Sequence, residues 1–115
     1  MAADCLFCKI VAKEIPAKVI HEDADTLAFE DINPQAPTHF LVIPKKHIAT
    51  LNDVAPGDEP LMGKLFTAAA KLAAARGFAD RGWRAVVNVN KDAHQLVFHV
   101  HLHVLAGRTF HWPPG

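Results

Sequence analysis

The apolar positions change their period along the chain, and each change marks an element. Cys5, Cys8 and Val11, with Phe7 and Ile10 alongside, follow Asp4, a good N-cap residue. This predicts a short helix over residues 4–13, stopped by Pro16. Lys18-Val-Ile-His-Glu22 and Thr26-Leu-Ala-Phe-Glu30 read as two strands of a hairpin turning at Asp23-Ala-Asp25. Asn33-Pro-Gln-Ala-Pro37 is a loop stiffened by its prolines, and His39-Phe-Leu-Val-Ile43 is a third strand ended by Pro44. Leu61, Leu65, Ala69 and Leu72 form one apolar stripe with Lys64 and Lys71 facing elsewhere, which predicts a long helix over 58–76 that Gly77 stops. Residues 83–89 and 98–105 complete the set as strands. The order predicts one α+β domain over 1–115, an antiparallel sheet of about five strands with a short N-terminal helix and one long helix. Trp112-Pro-Pro-Gly115 carries neither period and is expected on a surface or interface.

Composition narrows the function. Twelve basic residues balance twelve acidic ones, so neither a general nucleic-acid binder nor a polybasic membrane surface is expected. No apolar run approaches the ~20 residues of a membrane span. Met1-Ala-Ala-Asp-Cys5 has no basic region or hydrophobic signal core, so a soluble cytoplasmic protein is expected. Two cysteines are too few for a secreted disulfide framework.

Three of the eight histidines fall within five residues, in His99-Val-His-Leu-His-Val-Leu105. On a strand, alternation puts His99, His101 and His103 on one face, about 7 Å apart, with Val100, Leu102 and Val104 pointing into the core. Such a row can supply a neutral imidazole that attacks phosphorus. It can also bind zinc through three imidazoles, or simply form a half-exposed polar strand face.

This stretch matches the His-φ-His-φ-His-φ-φ signature (φ apolar) of the histidine-triad superfamily. Lys13-Glu-Ile-Pro-Ala-Lys18, the run from Phe29 to His47, and Trp112-Pro-Pro-Gly115 resemble its Hint branch, the histidine-triad nucleotide-binding proteins. The resemblance runs from about Cys5 to the last residue. It implies a homodimer that continues the sheet across the interface. It also implies hydrolysis of purine nucleoside 5'-phosphoramidates, in which AMP is joined through nitrogen to an amine, with no organic cofactor. By position, His101 is the nucleophile, His103 contacts the phosphate, and His39 supports the triad. With the carbonyl near His99, His39 is expected to hold His101 in its attacking tautomer. The resemblance places Asn88 on the phosphate or sugar side and Asp31 on the ribose hydroxyls. Phe7, Ile10, Phe29 and Ile32 form the apolar nucleoside pocket, and Gln95, Leu96 and Val97 border the phosphate. A carboxylate can accept both hydrogen bonds of a vicinal diol, and a purine needs apolar faces more than charge.

One segment departs from the family pattern, which carries Gly-Gln-Ser or Gly-Gln-Thr where this chain has His94-Gln95-Leu96. Leucine removes a hydroxyl that helps hold the phosphate or assist the leaving group, so slower turnover or an altered leaving-group preference is expected. His94 is a candidate substitute donor. The third histidine argues against a uridylyl-type transferase, whose pattern ends in Gln. Dinucleoside polyphosphate hydrolysis, a nucleotide-binding module with weak turnover, and a zinc hydrolase remain as rival readings.

Cys5-Leu-Phe-Cys8 reads as a redox pair, a disulfide, two buried helical cysteines, or half of a zinc site. The resemblance supplies the other half, His47 and His99. Cys5, Cys8, His47 and His99 would make a closed structural zinc site bracing the first helix against the sheet.

Overall fold

The computed structural model describes residues 4–115; Met1 to Ala3, part of the N-terminal stretch discussed above, lie outside the described residues. The first helix, α1 (Leu6–Val11), is shorter than its apolar pattern. Its N-cap is Cys5 rather than Asp4, because the Cys5 Sγ accepts the Cys8 N–H at 3.3 Å. It also ends before Pro16 can act. Lys13 takes a left-handed φ of 63°, and the Lys13 and Glu14 amides return to the Ile10 and Lys9 carbonyls as a Schellman turn.

The strands are β1 (Val19–Glu22), β2 (Thr26–Glu30), β3 (Thr38–Pro44), β4 (Arg84–Val86) and β5 (Leu102–Ala106). They form one sheet in the order β1-β2-β3-β5-β4, antiparallel throughout. The long helix α2 (Glu59–Ala75) ends in a second Schellman turn at Gly77, whose φ is +88°.

Both faces of the central strands are covered, which is why β2 and β3 read as apolar runs rather than alternating ones. On one face Ala28, Phe40, Val42, Leu102 and Val104 pack under Leu65, Ala68 and Ala69 of α2. Leu61 and Leu72 of the expected stripe sit at the edge of this core, half-buried. On the other face Leu27, Phe29, Leu41 and Ile43 pack under Cys5, Phe7, Cys8 and Ile10.

The last two strands are shorter than the sequence suggests. After Val86 the chain leaves the sheet and turns through Asn90 and His94, both with positive φ. It rejoins only at Leu102, opposite Val42, so His99 and His101 precede the ladder and only His103 lies within it. Val100 instead donates its N–H to the Ile48 carbonyl at 2.8 Å. Gly107, at the end of β5, has a φ of +95°, and a Cβ there would stand 2.9 Å from the Pro37 Cβ. That close approach fixes the 33–37 loop against the end of β5. No helix among the described residues is long and apolar enough to cross a membrane.

Candidate active site and metal centre

The alternation of the triad segment survives its departure from the ladder. Val100, Leu102 and Val104 enter the core under α2, and the three imidazoles lie on the α1 side. That face is not a half-exposed polar surface: His99 is fully buried, His101 is 7% exposed, and Phe7 packs edge-on against both rings. The rings of His101 and His103 are also closer than strand spacing alone implies, with centroids 5.0 Å apart.

Each imidazole has a different hydrogen-bond environment, and carbonyls and amides settle the tautomers. A carbonyl can only accept, so His101, whose Nδ1 lies 2.7 Å from the His99 carbonyl, carries its proton on Nδ1. Its Nε2 lone pair has no hydrogen-bond partner among the described residues. By the same reasoning His99 donates Nε2–H to the Pro44 carbonyl at 2.7 Å, which leaves its Nδ1 unprotonated. That nitrogen faces Cys5 Sγ at 3.4 Å and Cys8 Sγ at 3.6 Å.

His39 makes no hydrogen bond to His101 among the described residues, so the part expected of it in holding the His101 tautomer is not seen, and its support of the triad runs through His103. His39 lies on β3, and its Nε2 meets His103 Nδ1 at 2.9 Å and Asp31 Oδ2 at 3.3 Å. Among the described residues the hydrogen-bond partner of His101 is the carbonyl of His99. The other oxygen of Asp31 accepts the Asn33 N–H at 2.8 Å.

Burial drives the electrostatics. Desolvation pushes the His99 and His101 imidazoles below their ordinary pKa, against hydrogen bonds to Pro44 and His99 that favour the charged forms. His103 is held down at about 4, first by burial and then by His101 and His39, with Asp31 opposing. An unfolded imidazole titrates near 6.5, so as pH falls the unfolded chain takes up protons before the folded one. The stability His103 contributes is therefore complete above about pH 6.5 and is lost as pH falls towards about 4, and the lowered His99 and His101 act in the same direction. The melting temperature is expected to fall over that interval in a thermal-denaturation series. A melting temperature that rises on acidification there contradicts neutral burial of these rings.

The remaining expected residues fall into two groups. Phe7, Phe29 and Ile10 are buried beside the triad, with Phe7 and Phe29 in T-shaped contact at 5.4 Å, and Val97 packs against the same cluster. Ile32 is fully exposed, Leu96 is 75% exposed, and Asn88 is half-buried beyond β4. Gln95 is turned inward: its amide accepts the Asn90 N–H and donates to the Ala49 and Val97 carbonyls, bracing the loop before the triad. His94 keeps a left-handed conformation, φ 66° and ψ 41°, which suits the glycine of the family pattern. Hollows of about 280, 360 and 450 Å³ lie elsewhere on the chain, and no triad histidine lines them.

Beside the triad lies a four-residue donor set that includes His99. The ligand atoms of Cys5, Cys8, His47 and His99 lie within 4.8 Å of one another, and His47 Nδ1 stands 3.2 Å from Cys8 Sγ. Tetrahedral bonds of about 2.3 Å to sulfur and about 2.0 Å to nitrogen separate S and N ligands by about 3.5 Å. The sulfur–nitrogen separations here, 3.2 to 3.6 Å, match that spacing. A carbonyl on the far nitrogen of a ligating histidine is the usual orienting device, and Pro44 provides it. The group can hold a metal ion, and the cysteines form no disulfide. Asp31, His39 and His103 also cluster, but the 2.9 Å contact between the two rings is a hydrogen bond, with one nitrogen's proton on the other's lone pair.

Comparison with known proteins gives a consistent picture. A model of the HIT domain matches residues 12–110. The purine nucleoside phosphoramidase of Escherichia coli (strain K12) is 44% identical over 108 residues, 94% of this chain and 91% of that protein. An uncharacterised HIT-like protein of Synechocystis is 49% identical over 115 residues, all of both chains. The crystal structure of a HIT family hydrolase from Legionella pneumophila superposes with a TM-score of 0.95 at 56% identity, covering 97% of this chain and 100% of that one. A histidine triad protein from Clostridium difficile gives 0.93 at 40% identity, covering 96% of each.

Proposed function

This chain belongs to the HIT domain family, and from that premise we propose that it hydrolyses purine nucleoside 5'-phosphoramidates through a nucleotidyl intermediate on His101. The observation that carries the reading is the tautomer of His101. Its Nδ1–H is committed to the His99 carbonyl, so Nε2 of a buried, neutral ring keeps its lone pair, with no hydrogen-bond partner among the described residues. That is the form of histidine that attacks an electrophile.

In the first step His101 Nε2 forms a bond to the α-phosphorus while the P–N bond breaks. Its electron pair stays on nitrogen, which takes a proton and leaves as the amine. In the second step water adds to phosphorus, the P–Nε2 bond breaks, and AMP and free His101 are released. His103 donates to a phosphate oxygen. Asp31 receives the ribose hydroxyls, Phe7, Phe29, Ile10 and Ile32 contact the base, and Asn88 and Val97 border the phosphate. Zinc, held by Cys5, Cys8, His47 and His99, braces α1 against the triad segment. The two buried sulfurs favour zinc over a hard, oxygen-seeking cation. A reducing cytoplasm suits such a thiol pair. In the same reading two chains associate through the open edge of β4, which among the described residues is paired only with β5.

The experiment is direct. Adenosine 5'-phosphoramidate incubated with the protein is expected to yield AMP. Cleavage of diadenosine polyphosphates with no phosphoramidate turnover would assign the other substrate class. Leu96 is exposed on the loop that Gln95 braces, so a hydroxyl can be restored there without disturbing the core. A single oriented donor is worth ~10²–10³ in rate elsewhere, so Leu96→Ser is expected to raise kcat by about tenfold or more. An unchanged kcat, with a loss in His94→Ala, would transfer that role to His94.

A further inference from the structure

The 33–37 loop contributes a backbone group to the triad that no side-chain pattern announces. We propose that the Gln35 backbone N–H, acting through His39, is the positioning group that fixes the proton of His103 on Nε2. His103 is thereby a neutral hydrogen-bond donor to the substrate phosphate and not a proton donor; this last role rests on the function proposed above.

The argument runs along one chain of hydrogen bonds. A peptide N–H can donate but never accept. The Gln35 N–H points at His39 Nδ1 at 3.0 Å, so that nitrogen is unprotonated and the proton of neutral His39 sits on Nε2. Across 2.9 Å from Nε2 stands His103 Nδ1, and two N–H groups cannot face each other at that distance. His103 Nδ1 must accept, which leaves its proton on Nε2, the nitrogen with no partner among the described residues. Asp31 reinforces the order, because its carboxylate can only accept, and it lies 3.3 Å from His39 Nε2 and 4.0 Å from His103 Nδ1.

The Gln35 peptide is held on every side. Its carbonyl accepts two hydrogen bonds from Arg108, its side-chain amide donates to the Asn33 carbonyl, and the adjoining Pro37 is in close contact with Gly107. The charged and titratable groups around the pair are Asp31 and Glu30 beside His39, and His101 and Asp31 beside His103. Desolvation outweighs both carboxylates and keeps both rings neutral. Protonating His103 on Nδ1 would set two N–H groups against each other, and turning His39 over would strand the Gln35 N–H. The proton that the departing amine needs is therefore drawn from solvent.

The test reads tautomers directly. Long-range proton–nitrogen correlation spectra of histidine-labelled protein without substrate, at pH 7, distinguish protonated from unprotonated ring nitrogens. His39 and His103 are both expected to be protonated at Nε2 only. A proton on Nδ1 of either ring overturns the proposal, whatever the activity. Absence of AMP release with the tautomer pattern intact instead overturns the function and leaves the relay standing. Gln35→Pro removes the N–H and is expected to give mixed tautomers at both rings and about a tenfold lower kcat. Gln35→Ala retains the amide and is expected to keep the single pattern. A single unchanged pattern in folded Gln35→Pro would also overturn the proposal. If that variant does not fold, the wild-type spectrum decides alone.

Discussion

Replacing His101 with alanine is expected to abolish AMP release from adenosine 5'-phosphoramidate, lowering kcat by about 10⁴-fold or more, while AMP still binds. Removing a nucleophile cuts both steps of a covalent route, and such losses reach ~10⁶ where the nucleophile is indispensable. What remains is positioning by His103 and the pocket, which acts on substrate but supplies no attacking atom. The fold is expected to tolerate the change. His101 hydrogen bonds through Nδ1 to the carbonyl of His99, and the space its ring vacates can admit a water to that carbonyl. The checks are single-turnover kinetics, a ³²P-labelled protein adduct trapped by acid-free quenching of the wild type and absent from the variant, and unchanged AMP affinity. Turnover that survives in His101→Ala would sink the covalent mechanism and favour direct attack by water. His103→Ala is the contrasting case: it removes a donor and leaves the attacking lone pair, so the adduct should still form, more slowly.

The difference between these two histidines was only partly legible in the sequence. Alternation placed Val100, Leu102 and Val104 against α2 and left three imidazoles together, because period 2 is a property of extended backbone whether or not it joins a ladder. It could not show that His99 and His101 lie ahead of the ladder, since that depends on β3 ending at Pro44 and on Val100 pairing with Ile48. Gln95 illustrates a second limit. As a polar residue in a phosphate-bordering motif it reads as a ligand contact, yet folding turns its amide inward to satisfy three backbone groups. Backbone donors and acceptors are the third. Pro44 contributes a carbonyl and Gln35 an amide, and neither function is encoded by a side chain. Only the rigidity of Asn33-Pro-Gln-Ala-Pro37 hinted that a backbone group there would be held in place. The Cys5-Leu-Phe-Cys8 spacing, in contrast, left four readings open from local sequence. The fold separates them by bringing two distant imidazoles against the sulfurs.

Stripping metal from the purified protein is expected to lower its melting temperature by about 15 °C or more. An ion present at about 1,000 times its dissociation constant stabilises the folded state by ~4 kcal/mol, and 1 kcal/mol shifts the transition of a domain near this size by about 4–8 °C. The dependence is strong here because the donor set joins three parts of the chain. Cys5 caps α1 and Cys8 lies within it, His47 follows β3, and His99 opens the triad segment. With six residues, α1 is too short to persist without tertiary support, so its docking depends on this cluster and on Phe7 and Ile10. Elemental analysis should find about one zinc per chain, and prolonged chelation followed by calorimetry should show the drop. Cys8→Ser provides the control, since it should melt near the stripped wild type and respond no further to chelator. The effect should reach the active site through one residue. His99 presents its ring to the sulfurs and its carbonyl to His101 Nδ1, so loosening the first frees the second, and the tautomer of His101 should become mixed in the stripped protein. Wild-type protein that contains no zinc when purified without chelator, and melts at the same temperature with and without added zinc, would defeat this reading and leave the cysteines as core residues.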